Sequence, residues 1–429
     1  MIRRFISVLW AIAVLFTLIE AKQVKEFFPG ALWPYPEYGI LLLICFLYLV
    51  TGRQSLRIDR RYVELTFVFA SFATVYLLCS LINAAMTPQI AQSELLDGIG
   101  RVILQYVVTP SLILTSLHAV FKGRKDSALR SLILPSVVEL ALLIGGDIAS
   151  VAALPFSWIA KVREEILLQS WVEIGSKWFF IPKWGGTFAE SQELCFLMLL
   201  SLMLLDLWTL RVQAPGSKWK ALRLIYVGAI LLTASKTVIA GLFVYLLFRS
   251  RKYIQIKLAV LLPLVIAAAI VLSSRVFLHY DTFMRDALSY ASFDERLFHI
   301  LYFFKISASN PLHLLIGFGA RQTGLLESQA YPGVFNIHTN AVSLFAIVAD
   351  SGLLGMLPYL AMIGYIVKSL DGYLPRLVIM SGFVATIGMP DWSLECYLFF
   401  LLIVFYATLR KVKEDGQYEG REGAMEAGQ

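Results

Sequence analysis

The stretch Val63–Asn83 reads VELTFVFASFATVYLLCSLIN, and no charged residue follows Glu64 within it. A helix needs about 20 consecutive apolar residues to cross the hydrocarbon layer of a membrane. The segment has this length, and Arg60 and Arg61 precede it, separated from it only by Tyr62. We therefore predict a transmembrane helix that starts at a basic, cytoplasmic end.

The composition of the whole chain points the same way. Of its 429 residues, 58% are hydrophobic and only 16% are charged, whereas soluble domains carry about 25% charged residues. This apolar excess is larger than a soluble core can bury, so it must face lipid. Collagen-like, disordered and disulfide-rich classes are excluded by the same figures. We attribute the net charge of +7 to residues that fix orientation in the membrane, and predict no nucleic-acid partner.

Eleven further apolar segments bring the predicted number of membrane spans to about twelve, with both chain ends inside. They are Phe5–Ile19, Glu37–Thr51, Ile99–Val120, Ser131–Ala153, Glu190–Leu210, Ala221–Ala234, Thr237–Phe248, Leu258–Ser273, Asn340–Val367, Leu377–Met389 and Trp392–Leu409. The long segment Asn340–Val367 is either one tilted or glycine-broken span or two short ones divided at Gly352 and Gly355. We predict the single span.

Basic residues set the orientation, because Lys and Arg concentrate in cytoplasmic loops. With the N-terminus inside, 24 of the 37 basic residues fall in short cytoplasmic connectors. Residues 1–410 are thus predicted to form a single transmembrane helical domain. Two long outer loops, residues 155–189 and 274–339, would cap an active site, and residues 411–429 would form a disordered cytoplasmic tail.

The four cysteines all lie in apolar stretches and form no CxxC pair: Cys45, Cys79, Cys195 and Cys396. None has a histidine partner at metal-ligand spacing. We predict that they are small buried apolar residues. The sequence predicts neither a metal nor a cofactor.

The outer loops contain two candidates for chemistry. Ser292–Glu295 fits a capping box, and the helix it opens would hold Arg296 rigidly enough to bind a phosphate, unless that arginine reaches to lipid headgroups. His338 follows Asn336 where a loop enters a span, and a positive helix end there disfavours imidazolium. A neutral His338 could accept a proton, or could make only a structural hydrogen bond.

Three other places could contact an anion. Gly317 and Gly319 let backbone N–H groups approach closely, with Arg321 beside them, although a simple turn explains the glycines equally. Lys236 lies between two short apolar runs at the outer face, where it either contacts an anion or anchors the interface. Glu190 starts an outer helix end, where an acid suits the helix dipole.

An ordered set of motifs resembles the O-antigen ligase and polymerase family of bacterial polysaccharide assembly. The matching segments are Gly186-Thr187-Phe188-Ala189-Glu190-Ser191, Thr233-Ala234-Ser235-Lys236, Asp294-Glu295-Arg296, Gly317-Phe318-Gly319, and His338-Thr339-Asn340 followed by Asp350-Ser351-Gly352-Leu353-Leu354-Gly355. The resemblance covers roughly residues 185–409. Lys236 departs from the pattern, since an arginine usually follows that serine.

The resemblance implies an all-α, polytopic integral membrane enzyme, a GT-C-like glycosyltransferase of the bacterial inner membrane with its active site facing the periplasm. Its donor would be an undecaprenyl-diphosphate-linked oligosaccharide, used without nucleotide sugar, metal or cofactor. Lys236 and Arg296 would hold the diphosphate and His338 would assist the acceptor hydroxyl. Arg321, Gly317, Gly319, Asn340 and Glu190 would help to bind substrate. Membrane lipid and a chain-length regulator are further implied partners.

Two other functions remain open at this point. An O-antigen ligase would transfer the glycan to lipid A-core, whereas a polymerase adds it to a second lipid-linked repeat; the Glu190-Ser191 pair favours the polymerase. A proton-coupled transporter or flippase would use acids within spans, for which Glu139, Asp147 and Asp350 are candidates. No internal repeat of the transporter kind is evident in the sequence.

Overall fold

In the computed structural model, the part of the chain that the structure describes is almost entirely helical. The described residues are 2–18, 36–51, 60–86, 92–122, 124–138, 140–141, 191–213, 216–233, 235–250, 252–257, 263, 303–304, 307–308, 310–320, 322, 343–386 and 391–409. The fold and the site are described from these residues.

The helices are numbered in chain order. They are α1 (Ile2–Leu18), α2 (Pro36–Thr51), α3 (Arg60–Met86), α4 (Gln92–Ile103), α5 (Thr109–Phe121), α6 (Lys125–Leu129), α7 (Ser191–Arg211), α8 (Ser217–Thr233), α9 (Lys236–Arg249), α10 (Pro311–Ile316), α11 (Ser343–Ser369), α12 (Tyr373–Thr386) and α13 (Asp391–Thr408). Ten of the predicted spans overlap these helices. Of the other two, Ser131–Ala153 is described only up to residue 141, and Leu258–Ser273 lies outside the described residues apart from residue 263.

The predicted span Ile99–Val120 is not one regular α-helix, because a π-helical turn, Leu104–Val108, separates α4 from α5. Pro110 follows at the start of α5 and has no N–H to donate. The N–H of Thr109 reaches back to the carbonyl of Leu104, and the Thr109 hydroxyl donates to the same carbonyl at 2.7 Å. This wider turn satisfies backbone groups that the proline would otherwise disturb.

Four helices among the described residues are long and apolar enough to cross a membrane. They are Arg60–Met86, Leu95–Phe121 (α4, the π-helical turn and α5 taken together), Leu194–Arg211 and Phe345–Ser369. Shorter apolar helices accompany them. These helices are consistent with the predicted all-α membrane protein.

Burial separates the inner helices from the outer ones. Helix α7 is apolar all round and buried throughout residues 194–209, as expected of a helix in the middle of a bundle. Helices α3 and α8 instead leave large side chains uncovered, with Phe67 72% and Leu224 74% exposed. Faces of this kind suit lipid. The four cysteines are free and buried, which confirms their prediction as small core residues.

Helices α3 and α11 pack side by side in opposite directions. The Tyr76 hydroxyl of α3 donates to Oδ2 of Asp350 at 2.6 Å, and that of Tyr365 of α11 donates to Oε2 of Glu64 at 3.1 Å. The start of α3 therefore lies beside the end of α11, so the two helices are antiparallel. Antiparallel packing is what neighbouring spans of opposite predicted direction require.

The basic helix ends gather at one end of the bundle. The Tyr373 hydroxyl at the start of α12 donates to the Phe248 carbonyl at the end of α9, at 2.7 Å. The Asp371 N–H donates to the Thr408 carbonyl at the end of α13, at 2.9 Å. Lys368 and Arg249 consequently lie at the same end. If α11 were two spans, Lys368 and Arg249 would lie at opposite ends of the bundle. The contact between the start of α12 and the end of α9 therefore favours the single span.

That span is broken at a glycine, which is one of the two forms of a single span that the sequence left open. Within α11, Gly352 has φ 64° and ψ −164°, which is not helical. Only glycine adopts this region of backbone space readily. The helix therefore changes direction at Gly352, between the first two turns and a longer second part that contains Pro358.

Candidate functional site

The described residues include only part of the predicted site. Gly317 and Gly319 are described in full, and Lys236 is described in its backbone. The remaining predicted site residues lie outside the described residues: His338, Arg296, Arg321, Asn340 and Glu190. Their roles stay predictions. Of the acids proposed for a transporter, Glu139 and Asp147 also lie outside, whereas Asp350 is described.

Two segments of the family resemblance meet in the structure. Residues 315–320 and residues 349–352 are in backbone contact, and we name this contact the glycine junction. Gly317 has φ 72°, and a Cβ added to it would lie 2.4 Å from the carbonyl carbon of Asp350. A Cβ on Gly352 would lie 2.3 Å from the carbonyl carbon of Leu315. Each glycine thus leaves room for the backbone of the other segment.

Backbone hydrogen bonds close the glycine junction. The N–H of Phe318 donates to the Ala349 carbonyl at 2.7 Å, and that of Gly319 to the Asp350 carbonyl at 2.9 Å. The N–H of Gly317 donates to the His313 carbonyl at 2.8 Å. Both glycine N–H groups that the sequence offered to an anion are therefore bonded to carbonyls of the chain. The turn at Gly317-Phe318-Gly319 therefore attaches the end of α10 to the break in α11 by hydrogen bonds.

Helix α3 also forms hydrogen bonds to the glycine junction. Nδ2 of Asn83 donates to the Gly317 carbonyl at 2.6 Å, and the Ala320 N–H donates to Oγ of Ser80 at 3.0 Å. Tyr76, one helical turn earlier, donates to Asp350. All of these α3 side chains are buried. Polar groups buried in an apolar bundle are tolerated only with such partners.

The sequence did not single out Tyr76, Ser80 and Asn83 for any role. Their spacing of four and three residues places them on one face of α3, and Ser80 and Asn83 interrupt the apolar stretch that identified the span. That pattern could have indicated a polar stripe facing the bundle. It could not have indicated the partners, since Tyr76 and Asp350 are 274 residues apart.

We expect Tyr76→Phe to lower the free energy of unfolding by about 1–3 kcal/mol, because it removes a buried hydrogen bond to a carboxyl group. Tyr365→Phe is the matched control, since it removes the same kind of bond between the same two helices. There the carboxylate partner, Glu64, is 43% exposed, so water replaces the lost donor. Thermal unfolding of the two purified variants measures the difference, and equal losses would contradict the importance of burial.

Lys236 is placed by its backbone at the first position of α9. The preceding Ser235 is buried and extended, with φ −75° and ψ 111°, and its hydroxyl makes no capping bond. The N-terminal end of a helix is partly positive, so a cation there is electrostatically unfavourable. A lysine at this position makes the helix end more attractive to an anion.

Among the described residues, no group of three or more histidine, cysteine or acidic side chains could hold a metal ion. In comparisons with known proteins, no family model matches the chain and no curated protein matches its sequence.

Proposed function

We propose that the chain is a membrane glycosyltransferase with about twelve spans and a GT-C-like fold, which polymerises undecaprenyl-diphosphate-linked repeat units. It would act at the periplasmic face of the bacterial inner membrane. The observation that supports this proposal best is the glycine junction, because it joins Gly317-Phe318-Gly319 to Asp350-Ser351-Gly352. Both segments belong to the ordered motif set that resembles the O-antigen ligase and polymerase family.

The placement of the other motif residues is compatible with this chemistry. In the predicted orientation, the start of α9 and the glycine junction both lie in the outer part of the bundle. The chain between residues 322 and 343, which contains His338, leaves from the junction and returns to α11. A junction that fixes residues 317–320 on one side and the first part of α11 on the other would help to position a histidine in the segment between them.

The proposed reaction forms one glycosidic bond and breaks one bond to diphosphate. A hydroxyl of the acceptor repeat attacks the anomeric carbon of the donor glycan, while the bond between that carbon and the diphosphate oxygen breaks. His338 takes the hydroxyl proton, and undecaprenyl diphosphate leaves with the bonding electrons. Arg296 and Lys236 balance the negative charge that grows on the leaving group, which is worth most near low-dielectric lipid. Holding both lipid-linked substrates in one membrane adds proximity.

Lys236 gives a graded test of the donor side. Lys236→Gln removes one cation from the proposed diphosphate site and should lower chain extension about 10- to 100-fold, the usual worth of a hydrogen bond to a charged group. Lys236→Arg keeps the charge and adds a fork that suits phosphate, so its rate should equal or exceed that of the native chain. Rates measured in membranes that hold equal amounts of protein decide this. A glutamine variant as active as the arginine variant would remove Lys236 from the site.

Glycan analysis of a strain that lacks the protein tests the function as a whole. If the protein is a polymerase, the strain should carry single repeats but no chain longer than one repeat. The native gene should then restore full-length polymer. A ligase predicts long chains stranded on the carrier lipid instead. A flippase predicts that even single repeats stay inaccessible from the periplasm. Either of the last two results would overturn the proposal.

A further inference from the structure

A cationic cavity lies at the basic end of the bundle, between helices α7, α8 and α9. Its volume is about 320 Å³. The lining carries three basic side chains, Lys220, Arg223 and Arg249, against one acid, Asp206. The cavity is therefore positive by two charges. None of these residues belongs to the predicted catalytic machinery.

Asp206 fixes the two arginines in place. Its side chain is 1% exposed, and its Oδ1 and Oδ2 atoms pair with Arg223 and with Nη1 of Arg249 respectively, the latter at 3.2 Å. The Tyr245 hydroxyl donates to Oδ2 at 2.7 Å, and Nη2 of Arg223 donates to Thr209 at 2.8 Å. Because one carboxylate serves two guanidinium groups, the arginines are held rigidly and still carry excess charge.

The remaining lining is mostly apolar and extends about one helical turn further into the bundle. Leu202 precedes Asp206 by four residues on α7, and Val227 follows Arg223 by four on α8. Leu224 and Leu246 also line the cavity and are 74% and 47% exposed. The cavity thus opens toward the lipid-facing surface. Its charged part is nearest the helix ends and its apolar part nearest the membrane interior.

Two tryptophans mark the depth of the charged part. The rings of Trp208 on α7 and Trp219 on α8 meet at 4.7 Å, and the guanidinium of Arg130 lies 5.1 Å from the Trp208 ring centre. Tryptophan concentrates at the level of the lipid headgroups. Trp208 is two residues from Asp206, and Trp219 is next to Lys220. In the predicted orientation, this places the cations of the cavity at the level expected for the bilayer phosphates.

From this geometry we propose that the cavity binds an anionic phospholipid of the inner leaflet. The lipid phosphate contacts Lys220, Arg223 and Arg249, and an acyl chain runs along Leu224, Val227 and Leu246. Guanidinium forks suit phosphate oxygens, and basic pockets between transmembrane helices on the cytoplasmic side suit anionic headgroups. The bound lipid would tie α7, α8 and α9 together at the face opposite the proposed reaction.

Lipid-dependent thermal unfolding of the purified full-length chain in neutral detergent tests the proposal. Dioleoyl-phosphatidylglycerol should raise the melting temperature more than dioleoyl-phosphatidylcholine does. Lys220 is exposed, so Lys220→Gln should fold. It should lower the apparent affinity for phosphatidylglycerol, read from the melting temperature against lipid concentration, about five-fold, which is the contribution of one cation near an anionic surface. Lys220→Arg should restore it. Lys252→Gln removes an exposed cation that does not line the cavity and should change nothing.

Three outcomes would overturn the proposal. Equal stabilisation by the two phospholipids would show that headgroup charge is irrelevant. Equal losses in Lys220→Gln and Lys252→Gln would show general surface attraction with no defined site. Stabilisation by inorganic phosphate alone that matches phosphatidylglycerol, and that Lys220→Gln abolishes, would assign the cavity to a soluble phosphate compound.

Discussion

Replacing His338 by alanine is expected to lower the rate of chain extension about 10²- to 10⁴-fold, which is the usual contribution of a general base. A sugar hydroxyl is a weak nucleophile until its proton is removed, and the proposal assigns that proton to the imidazole. The measurement is polymer length against time in membranes supplied with lipid-linked repeats. Immunoblots of the same membranes must show native protein levels, so that a loss of rate is not a loss of protein.

Chemical rescue separates a base from a structural histidine. Added imidazole should restore part of the rate in His338→Ala, because a free base can enter the space left by the side chain. The matched control is His118→Phe on α5, where the ring contacts with Tyr48 and Tyr62 at 6.0 and 6.4 Å can be kept. It should leave the rate unchanged. Native activity in His338→Ala would remove the residue from the mechanism.

The helices that overlap predicted spans were predictable because each depends on a local property of the chain, whereas the short helices α6 and α10 were not predicted. Long, mostly apolar runs define α3, α7 and α13, and the burial of α7 on all sides follows from its apolar residues on every face. A break in α11 was one of the expected alternatives, because Asn340–Val367 is longer than a membrane requires and contains glycine at its centre; the sequence left a tilted, unbroken span equally open. The bounds of the helices differ from the predicted spans by a few residues, since polar residues extend a helix beyond the apolar layer.

The partners across the bundle were not predictable. Tyr76 reaches Asp350 over 274 residues of sequence and Asn83 reaches Gly317 over 234, and no periodicity encodes such pairs. Asp206 is the single acid within residues 194–210, which could have indicated a buried ion pair. Which of the many basic residues it pairs with depends on how α7, α8 and α9 pack. The glycine motif was noticed in sequence, but its neighbour at Asp350 came only from the structure.

Replacing Gly352 by alanine is expected to destabilise the fold by at least about 3 kcal/mol. A residue with a side chain pays about 1–3 kcal/mol to adopt this backbone region. The new Cβ would also lie 2.3 Å from both the carbonyl carbon and the oxygen of Leu315. Because these atoms are backbone, no rotamer change relieves the clash, and α10 must move away from α11. The amount of monodisperse protein after extraction and its melting temperature both measure the loss.

Gly364→Ala is the matched control on the same helix, since a Cβ there meets nothing within 4 Å. Alanine favours helix over glycine by about 0.8–1.0 kcal/mol, so this variant should melt slightly higher than the native chain. Gly317→Ala should resemble Gly352→Ala, because a Cβ on either glycine would meet the backbone next to the other. Once either substitution has separated the segments, the second has little left to disrupt, so the double variant should lose less stability than the sum of the two. Additive losses, or a Gly352→Ala variant as stable as Gly364→Ala, would contradict a single reciprocal junction.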